Sequence, residues 1–428
     1  MKHSVTEVKA KNGARGILIH IPDASVMTFD FNFRAGEYLV DRQIWETPHL
    51  MEHMLLGANK LIPKARTFQA EFEKNGAYSN ASTGSYDITY EAECADFEWK
   101  RILDLLVTAI TKPLFLADEF TAEFGNVREE LTARSNSHFR HLSLALREQY
   151  GFKVVTDQER LKLMKNVTLA DVNSHYQKTH TSSNLRFVIA GNLNPDRRAD
   201  VKAVISSIAL PQGQGREELP LEEPHKLDKA LYLNNNSVDN IYFYLDTFKK
   251  RQLSDPEADA LSLLNTMLTE TLYSRILGTA REKGLVYSMS SGHSQLRDSS
   301  NWWFGAQVTP ANSDELFKII TKELKAVFKG DLADEDVQAA KQYAVGRYQR
   351  GAQTVGGTAG GYAFRYFFDD EVEDYYQLPT RIKAITKQRI IKVANTMFED
   401  NTWGLGCLSN AGPAVADKLY NQASGLWQ

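Results

Sequence analysis

Apolar and polar positions alternate along short stretches in the first 210 residues, with longer stretches of helical spacing between them. Residues 16–21 and 25–34 predict two strands around a Pro22-Asp23 turn, because apolar and polar side chains alternate in the second stretch. A short helix follows near 48–56. A second helix over 65–74 is expected to end at Asn75-Gly76. Further predicted strands cover 77–82, 86–92 and 184–190, and predicted helices cover 96–111 and 117–147.

A similar order of elements returns after a segment rich in proline, glycine and charge, PQGQGREELPLEEPHKL, which begins at residue 211. This segment has no periodicity and predicts a linker. Beyond it the expected elements are strands over 230–234, 240–247, 286–291, 302–308 and 403–408, and helices from 255, over 313–328 and over 335–350. The repetition indicates an internal duplication. We expect an N-terminal domain over 1–210, a linker over 211–229 and a related C-terminal domain over 230–428. The predicted fold class is α+β, with each domain a mostly antiparallel sheet covered by helices on one side.

Composition and charge exclude several classes of protein. The 428 residues carry 50 Lys and Arg against 54 Asp and Glu, a formal net charge of −4, which leaves no basic surface for nucleic acid. The apolar runs of the chain fall short of the ~20 residues of a membrane span, and the first residues lack the apolar core of a signal peptide. Two distant cysteines, Cys94 and Cys407, favour a reducing compartment. We expect a cytoplasmic protein without membrane or nucleic-acid partners.

The first predicted helix carries a His-x-x-Glu-His pattern at His49, Glu52 and His53. Residues four apart share a helix face, so His49 and His53 can bind one zinc ion while Glu52 lies beside them. A polar helix edge without metal is the alternative. A catalytic zinc usually has three protein ligands, so the two histidines require a third ligand from elsewhere in the chain. Glu123, Glu129 and Glu130 on a later predicted helix are the candidates for that ligand, and Glu123 and Glu130 share a face.

A glycine-rich run at residues 356–361, GGTAGG, has no Gly-Lys-Ser/Thr ending. This composition favours close helix packing or a hinge over nucleotide binding.

These motifs together resemble the insulinase/pitrilysin family of inverzincin metallopeptidases, which includes the mitochondrial processing peptidase, in its short two-domain form. The resemblance covers nearly the whole chain. It includes the strand around Ser79, Asn80 and Ala81 and the Arg-Glu-Lys-Gly-Leu-Val-Tyr segment from Arg281 to Tyr287. The second half lacks its own His-x-x-Glu-His. The family arrangement implies two domains facing each other as a clamshell.

The resemblance also implies roles for individual residues. His49, His53 and Glu130 would hold one Zn²⁺ per chain, with Glu129 the lesser candidate for the third ligand. Glu123 would orient the ligands. Glu52 would activate a zinc-bound water, and Tyr287 and Arg281 would complete the catalytic cleft from the second domain. The strand residues Ser79, Asn80 and Ala81 would bind substrate by β-strand addition.

The implied function is a zinc metalloendopeptidase that hydrolyses short or unfolded peptides. The alternative is a non-catalytic family member that serves as a scaffold or partner subunit of a peptidase complex. Short family members pair two chains, so the resemblance implies a homodimer or a heterodimer with a related chain.

Overall fold

The computed structural model describes residues 1–373 and 375–427, and these form two compact units. Unit 1 comprises Met1–Thr132, Gln158–Leu219 and Gln349–Tyr376. Unit 2 comprises Ala133–Asp157, Pro220–Tyr348 and Gln377–Gln428. Each unit therefore includes one segment from the opposite half of the chain. The expected linker over 211–229 contains the point at which the chain leaves unit 1 for unit 2.

The described residues form two sheets and a series of helices. The strands are β1 (Ser4–Lys9), β2 (Arg15–His20), β3 (Val26–Phe33), β4 (Tyr78–Thr83), β5 (Ile88–Ala95), β6 (Arg186–Gly191), β7 (Leu231–Asn234), β8 (Ile241–Lys249), β9 (Met289–Gln295), β10 (Ser300–Val308) and β11 (Thr402–Ser409). The helices are α1 (Thr47–Leu55), α2 (Ala65–Glu73), α3 (Trp99–Thr111), α4 (Ala117–Ser135), α5 (His138–Gln149), α6 (Asp157–Leu163), α7 (Leu169–Thr179), α8 (Pro195–Ser206), α9 (Asp255–Asn265), α10 (Arg275–Glu282), α11 (Pro310–Phe328), α12 (Asp334–Gly351), α13 (Val355–Asp369), α14 (Leu378–Ala384), α15 (Lys387–Phe398) and α16 (Pro413–Ser424).

The sheet of unit 1 has the strand order β1-β2-β6-β3-β5-β4. Only the β2–β6 pair is parallel among its described ladders. The alternation predicted for β3 is confirmed, because Met27, Phe29, Phe31 and Phe33 are fully buried on one face. They pack there with apolar residues of α1, α3 and α7. The sheet thus holds α1 on its apolar face, near β4 at the edge.

The opposite face of this sheet is partly covered by α13, which belongs to the second half of the chain. Val355, Ala359 and Tyr362 of α13 pack on Ile19 and Val188 of the sheet. No pattern in the sequence indicated a helix on this face, because α13 is brought there by packing between distant segments.

The sheet of unit 2 has the order β7-β11-β8-β10-β9. It repeats β2-β6-β3-β5-β4 strand for strand, including the parallel pair at one side. This agreement is what an internal duplication predicts. Helix α5 packs on β8 and β11, while the larger apolar core lies against α9, α11 and α15. The predicted mixed α and β fold with mostly antiparallel sheets is confirmed.

Several predicted boundaries were wrong. The strand expected over 286–291 begins at Met289, and the helix expected over 117–147 breaks at Asn136 and Ser137. Ser137 accepts a hydrogen bond from the backbone of Arg140, so a side-chain cap starts a new helix there. Thr83, expected in a turn, is the last residue of β4. In the part of the chain that the structure describes, no helix has the length and apolar character needed to cross a membrane.

Candidate metal centre

Helix α1 begins at Thr47, and Pro48 fits its first turn because no hydrogen-bonded N–H is needed there. His49 and His53 are four residues apart and therefore lie on one face of the helix. Leu50, Met51 and Met54 are fully buried and fix the rotation of the helix against the core. His49 is buried and His53 is partly exposed. The two imidazole rings lie 5.0 Å apart between centroids.

The Nε2 atoms of both histidines point to the same carboxylate oxygen. Glu130 Oε2 on α4 lies 3.2 Å from His49 Nε2 and 3.5 Å from His53 Nε2. Ligand atoms about 2.0–2.1 Å from a tetrahedral zinc ion are about 3.3 Å from one another. The N and O donor set of these three residues therefore fits Zn²⁺. Glu129 points elsewhere, since its side chain is 76% exposed and lies 3.8 Å from Arg128.

The other nitrogen of His49 is held by a buried carboxylate. Glu46, fully buried, lies with its Oε2 3.1 Å from His49 Nδ1. Arg160 forms an ion pair with both oxygens of Glu46 and a second pair with Glu37 at 2.8 Å. Burial opposes the charge of Glu46, but the bond to His49 and the charge of Arg160 prevail and lower its pKa to about 2. Glu46 thus stays ionised and orients the His49 ring.

Glu123 holds His53 in the same way. Its Oε2 lies 2.9 Å from His53 Nδ1 and also accepts a hydrogen bond from Asn126. Burial would lower the pKa of His53, but the bonds to Glu123 and Glu130 outweigh burial and raise it to about 10. The pKa of His49 is raised for the corresponding reason, through Glu130 and Glu46. Each ring therefore has one nitrogen engaged by a carboxylate and the other directed at Glu130.

Glu52 completes the cluster from the same helix. Its carboxylate belongs with His49 and His53 to a group whose ligand atoms lie within 4.8 Å of one another. Thr83 at the end of β4 donates a hydrogen bond to Glu52 Oε2 at 3.1 Å. Burial raises the pKa of Glu52 despite the nearby histidines. A carboxylate in this position can exchange a proton with a neighbouring molecule.

The strand that supplies Thr83 lies at the edge of its sheet. Strand β4 pairs with β5 on one side and is the last strand in the order, so its other side presents backbone N–H and C=O groups. Ser79 and Ala81 are partly exposed, and Asn80 on the opposite face donates a hydrogen bond to Glu91. The predicted substrate-binding strand thus has an edge open for strand addition.

Arg281 and Tyr287 lie in unit 2. Arg281 donates a hydrogen bond to the backbone carbonyl of Tyr287, and its guanidinium carbon lies 5.0 Å from the centre of the Tyr287 ring. The Tyr287 side chain is highly exposed. The structure brings these two residues together, and their catalytic roles remain predictions.

Three functional residues were missed by sequence reasoning: Glu46, Arg160 and Thr83. Glu46 precedes the motif by three residues, a spacing that places it beside His49 on a helix, and this signal was available. Arg160 lies far along the chain and carried no local signal.

Comparison with known protein families gives two matches along this chain. Residues 43–156 match the sequence model of the insulinase family, peptidase family M16. Residues 166–343 match the model described as the peptidase M16 inactive domain. The chain belongs to the insulinase family. The predicted resemblance is therefore confirmed at the level of the family.

Solved structures share the fold of this M16 chain. A protease from Helicobacter pylori superimposes with a TM-score of 0.84 at 19% identity, covering 95% of this chain and 100% of its own. A peptidase M16 inactive domain from Pseudomonas fluorescens superimposes with a TM-score of 0.80 at 17% identity, covering 95% and 97%. At these identities the likeness establishes the fold.

Proposed function

We propose that this M16 chain is a zinc-dependent metalloendopeptidase that hydrolyses short or unfolded peptides. The convergence of His49 Nε2, His53 Nε2 and Glu130 Oε2, with the Glu52 carboxylate beside them, carries the proposal. His49, His53 and Glu130 would hold one Zn²⁺ per chain. Bound zinc would supply Lewis-acid polarisation of the scissile carbonyl and would acidify the attacking water.

The chain's own residues perform the proton transfers. Glu52 accepts a proton from the attacking water and later delivers it to the leaving amine, as general base and then general acid. The hydrogen bond from Thr83 holds the Glu52 carboxylate in one orientation. Glu46 and Glu123 keep the two imidazole rings turned so that Nε2 faces the centre. Tyr287 and Arg281 are proposed to donate to the substrate from unit 2.

Peptide binding is proposed to use the open edge of β4. A peptide added along Ser79, Asn80 and Ala81 would be held chiefly through its backbone, with loose preference for side chains. This mode requires an extended chain, which is why short or unfolded peptides are the proposed substrates. We further propose that the protein acts in the cytoplasm as a homodimer or as a heterodimer with a related chain. Its two cysteines are free and buried.

A second candidate function is that of a non-catalytic partner subunit. The match of residues 166–343 to the family's inactive domain favours it. The complete set of His49, Glu52, His53 and Glu130 lies within the segment that matches the insulinase family model, and this favours catalysis instead.

The test compares the wild type with Glu52→Gln. Zinc content, cleavage of a quenched fluorescent peptide and mass by size exclusion are measured on the same samples. We expect zinc in both proteins and loss of at least 1,000-fold in cleavage rate for Glu52→Gln, on the order of the ~10²–10⁴-fold that acid–base groups contribute. A wild type that binds zinc and cleaves no peptide would support the partner-subunit function. Unchanged cleavage by Glu52→Gln would exclude Glu52 as the base.

A further inference from the structure

A cavity of about 300 Å³ lies in unit 1 on the face of the sheet opposite the metal centre. Its floor is formed by β3, β4 and β5, and its roof by α13. The helix contributes Gly356, Gly360, Ala363 and Phe367, which follow one another at helical spacing and form one stripe. The neighbouring stripe of α13 packs on the apolar part of the sheet. The cavity is therefore held between two elements that are fixed by their own core.

The glycines of the 356–361 run keep the cavity open. A Cβ atom on Gly360 would meet no heavy atom within 4 Å, so a larger side chain there would extend into open space. A Cβ on Gly356 would lie 3.3 Å from Glu93 Oε2. Glycine in the interior of a helix is destabilising relative to alanine. The open space above the sheet is thus maintained against helix propensity.

The floor of the cavity is acidic and has no cation of its own. Asp30 on β3 stands directly opposite Glu91 on β5, and Glu93 is two residues further along the same face. Glu91 accepts a hydrogen bond from Asn80. Within residues 1–373 and 375–427, no lysine, arginine or histidine forms an ion pair with these three carboxylates. Two like charges directly opposite in a sheet destabilise it, so the pair Asp30 and Glu91 is unfavourable for folding.

Of these three carboxylates, Asp30 most strongly indicates a cation-binding site. Protein atoms surround its carboxyl almost completely, and the residue, which is only partly exposed, lines the cavity. It has no hydrogen-bond or ion-pair partner in the described chain. Burial, with a smaller contribution from Glu91, raises the pKa of Asp30 to about 7. Asn32, two residues further along β3, does have a cationic neighbour, because Arg216 donates a hydrogen bond to its side chain at 2.7 Å.

We propose that this cavity binds an organic cation, a guanidinium or primary ammonium group carried on an aliphatic chain. The carboxylates of Asp30 and Glu91 would receive the charge, and Ala363 would pack on the aliphatic part. Phe367 and Tyr78 offer aromatic rings, which attract cations. A single metal ion fits less well, because these carboxylate oxygens do not gather within 4.8 Å as His49, Glu52 and His53 do. A volume of about 300 Å³ suits a small ligand.

The cation has two possible sources: a free amine or guanidine, and the basic side chain of a polypeptide. Both present the same chemistry to Asp30 and Glu91. The site does not depend on the peptidase function, because it is built from residues on the other face of the sheet.

The binding test uses full-length Glu52→Gln protein and agmatine, with isothermal titration calorimetry as the measurement. We expect agmatine to bind, Asp30→Asn and Glu91→Gln each to weaken binding at least tenfold, and Gly360→Leu to abolish it by filling the cavity. Asp104→Asn on α3 removes an equal charge at an exposed site of the same unit and is the matched control. We expect it to leave binding unchanged. At pH 8, Asp30→Asn should unfold at a higher temperature than the Glu52→Gln parent. This result would exclude misfolding as the cause of weaker agmatine binding.

A second arm distinguishes the sources. Binding of a ten-residue peptide containing arginine is compared with that of the same peptide containing citrulline. A preference for arginine that disappears in Asp30→Asn identifies a polypeptide side chain as the source. Equal binding of the arginine and citrulline peptides, together with binding of agmatine, identifies a free cation as the source. The proposal is overturned if agmatine does not bind. It is also overturned if agmatine binds equally to the parent, to Asp30→Asn and to Gly360→Leu. None of these outcomes depends on whether the wild type cleaves peptides.

Discussion

Replacing Glu46 by glutamine removes one charge from the buried chain that runs from His49 through Arg160 to Glu37. The glutamine keeps an oxygen that can accept from His49 Nδ1, so the ring retains its hydrogen bond and loses the adjacent negative charge. Outer carboxylates of this kind contribute about 10–100-fold to metal affinity. Glu46 is fully buried and strongly ionised, which places it at the upper end of that range. We expect zinc affinity to fall by close to 100-fold, or about 2.7 kcal/mol.

The same substitution affects the metal-free protein through Arg160. This guanidinium is buried and would keep its ion pair with Glu37 at 2.8 Å. Hydrogen bonds to charged groups contribute about 1.5–3 kcal/mol, so we expect the metal-free protein to lose roughly that much stability. The two effects are separable, because one is measured with zinc and the other without it.

The assay is competition for zinc against a fluorescent chelator, combined with urea unfolding of the metal-free protein. Glu123→Gln is the matched control, since Glu123 performs the same task for His53 while its side chain is 24% exposed and no arginine among the described residues forms an ion pair with it. We expect a loss of affinity near tenfold and little loss of stability for Glu123→Gln. Wild-type zinc affinity in Glu46→Gln, or an effect no larger than that of Glu123→Gln, would refute the role assigned to the buried charge chain.

Two further predictions follow from the geometry. Glu130→Ala should abolish stoichiometric zinc binding, measured by elemental analysis, while Glu129→Ala should retain it; the reverse result would transfer the third ligand to Glu129. Asp246→Asn should stabilise unit 2 at alkaline pH. Burial raises the pKa of Asp246 to about 8, whereas the pKa of an aspartate in the unfolded chain is near 3.8. The unfolded state therefore holds fewer protons between these values, and stability falls as pH rises from about 4 to 8. At ~1.4 kcal/mol per pKa unit the upper limit is about 6 kcal/mol. Urea unfolding at pH 4 and pH 9 should show near-equal stability at pH 4 and a more stable Asp246→Asn protein at pH 9. A difference that does not change with pH would contradict the reasoning.

The local geometry of the site follows from the order of residues within α1. His49 and His53 share a face wherever the segment is helical, since the helical repeat places residues four apart together. The alternation in β3 likewise determined which side chains enter the core. The first half of the site and most strands and helices were therefore predictable, as was the end of α2, where Asn75 and Gly76 adopt left-handed conformations.

The tertiary structure decided which distant groups meet these local elements. Glu129 and Glu130 are adjacent in sequence, and only the packing of α4 against α1 turned Glu130 toward both histidines and Glu129 toward solvent. The pairing of Glu46 with Arg160 and the placement of α13 over Asp30 are also long-range contacts. No periodicity within a segment encodes them, because periodicity reports the shape of one element, whereas these contacts depend on how separate elements pack together.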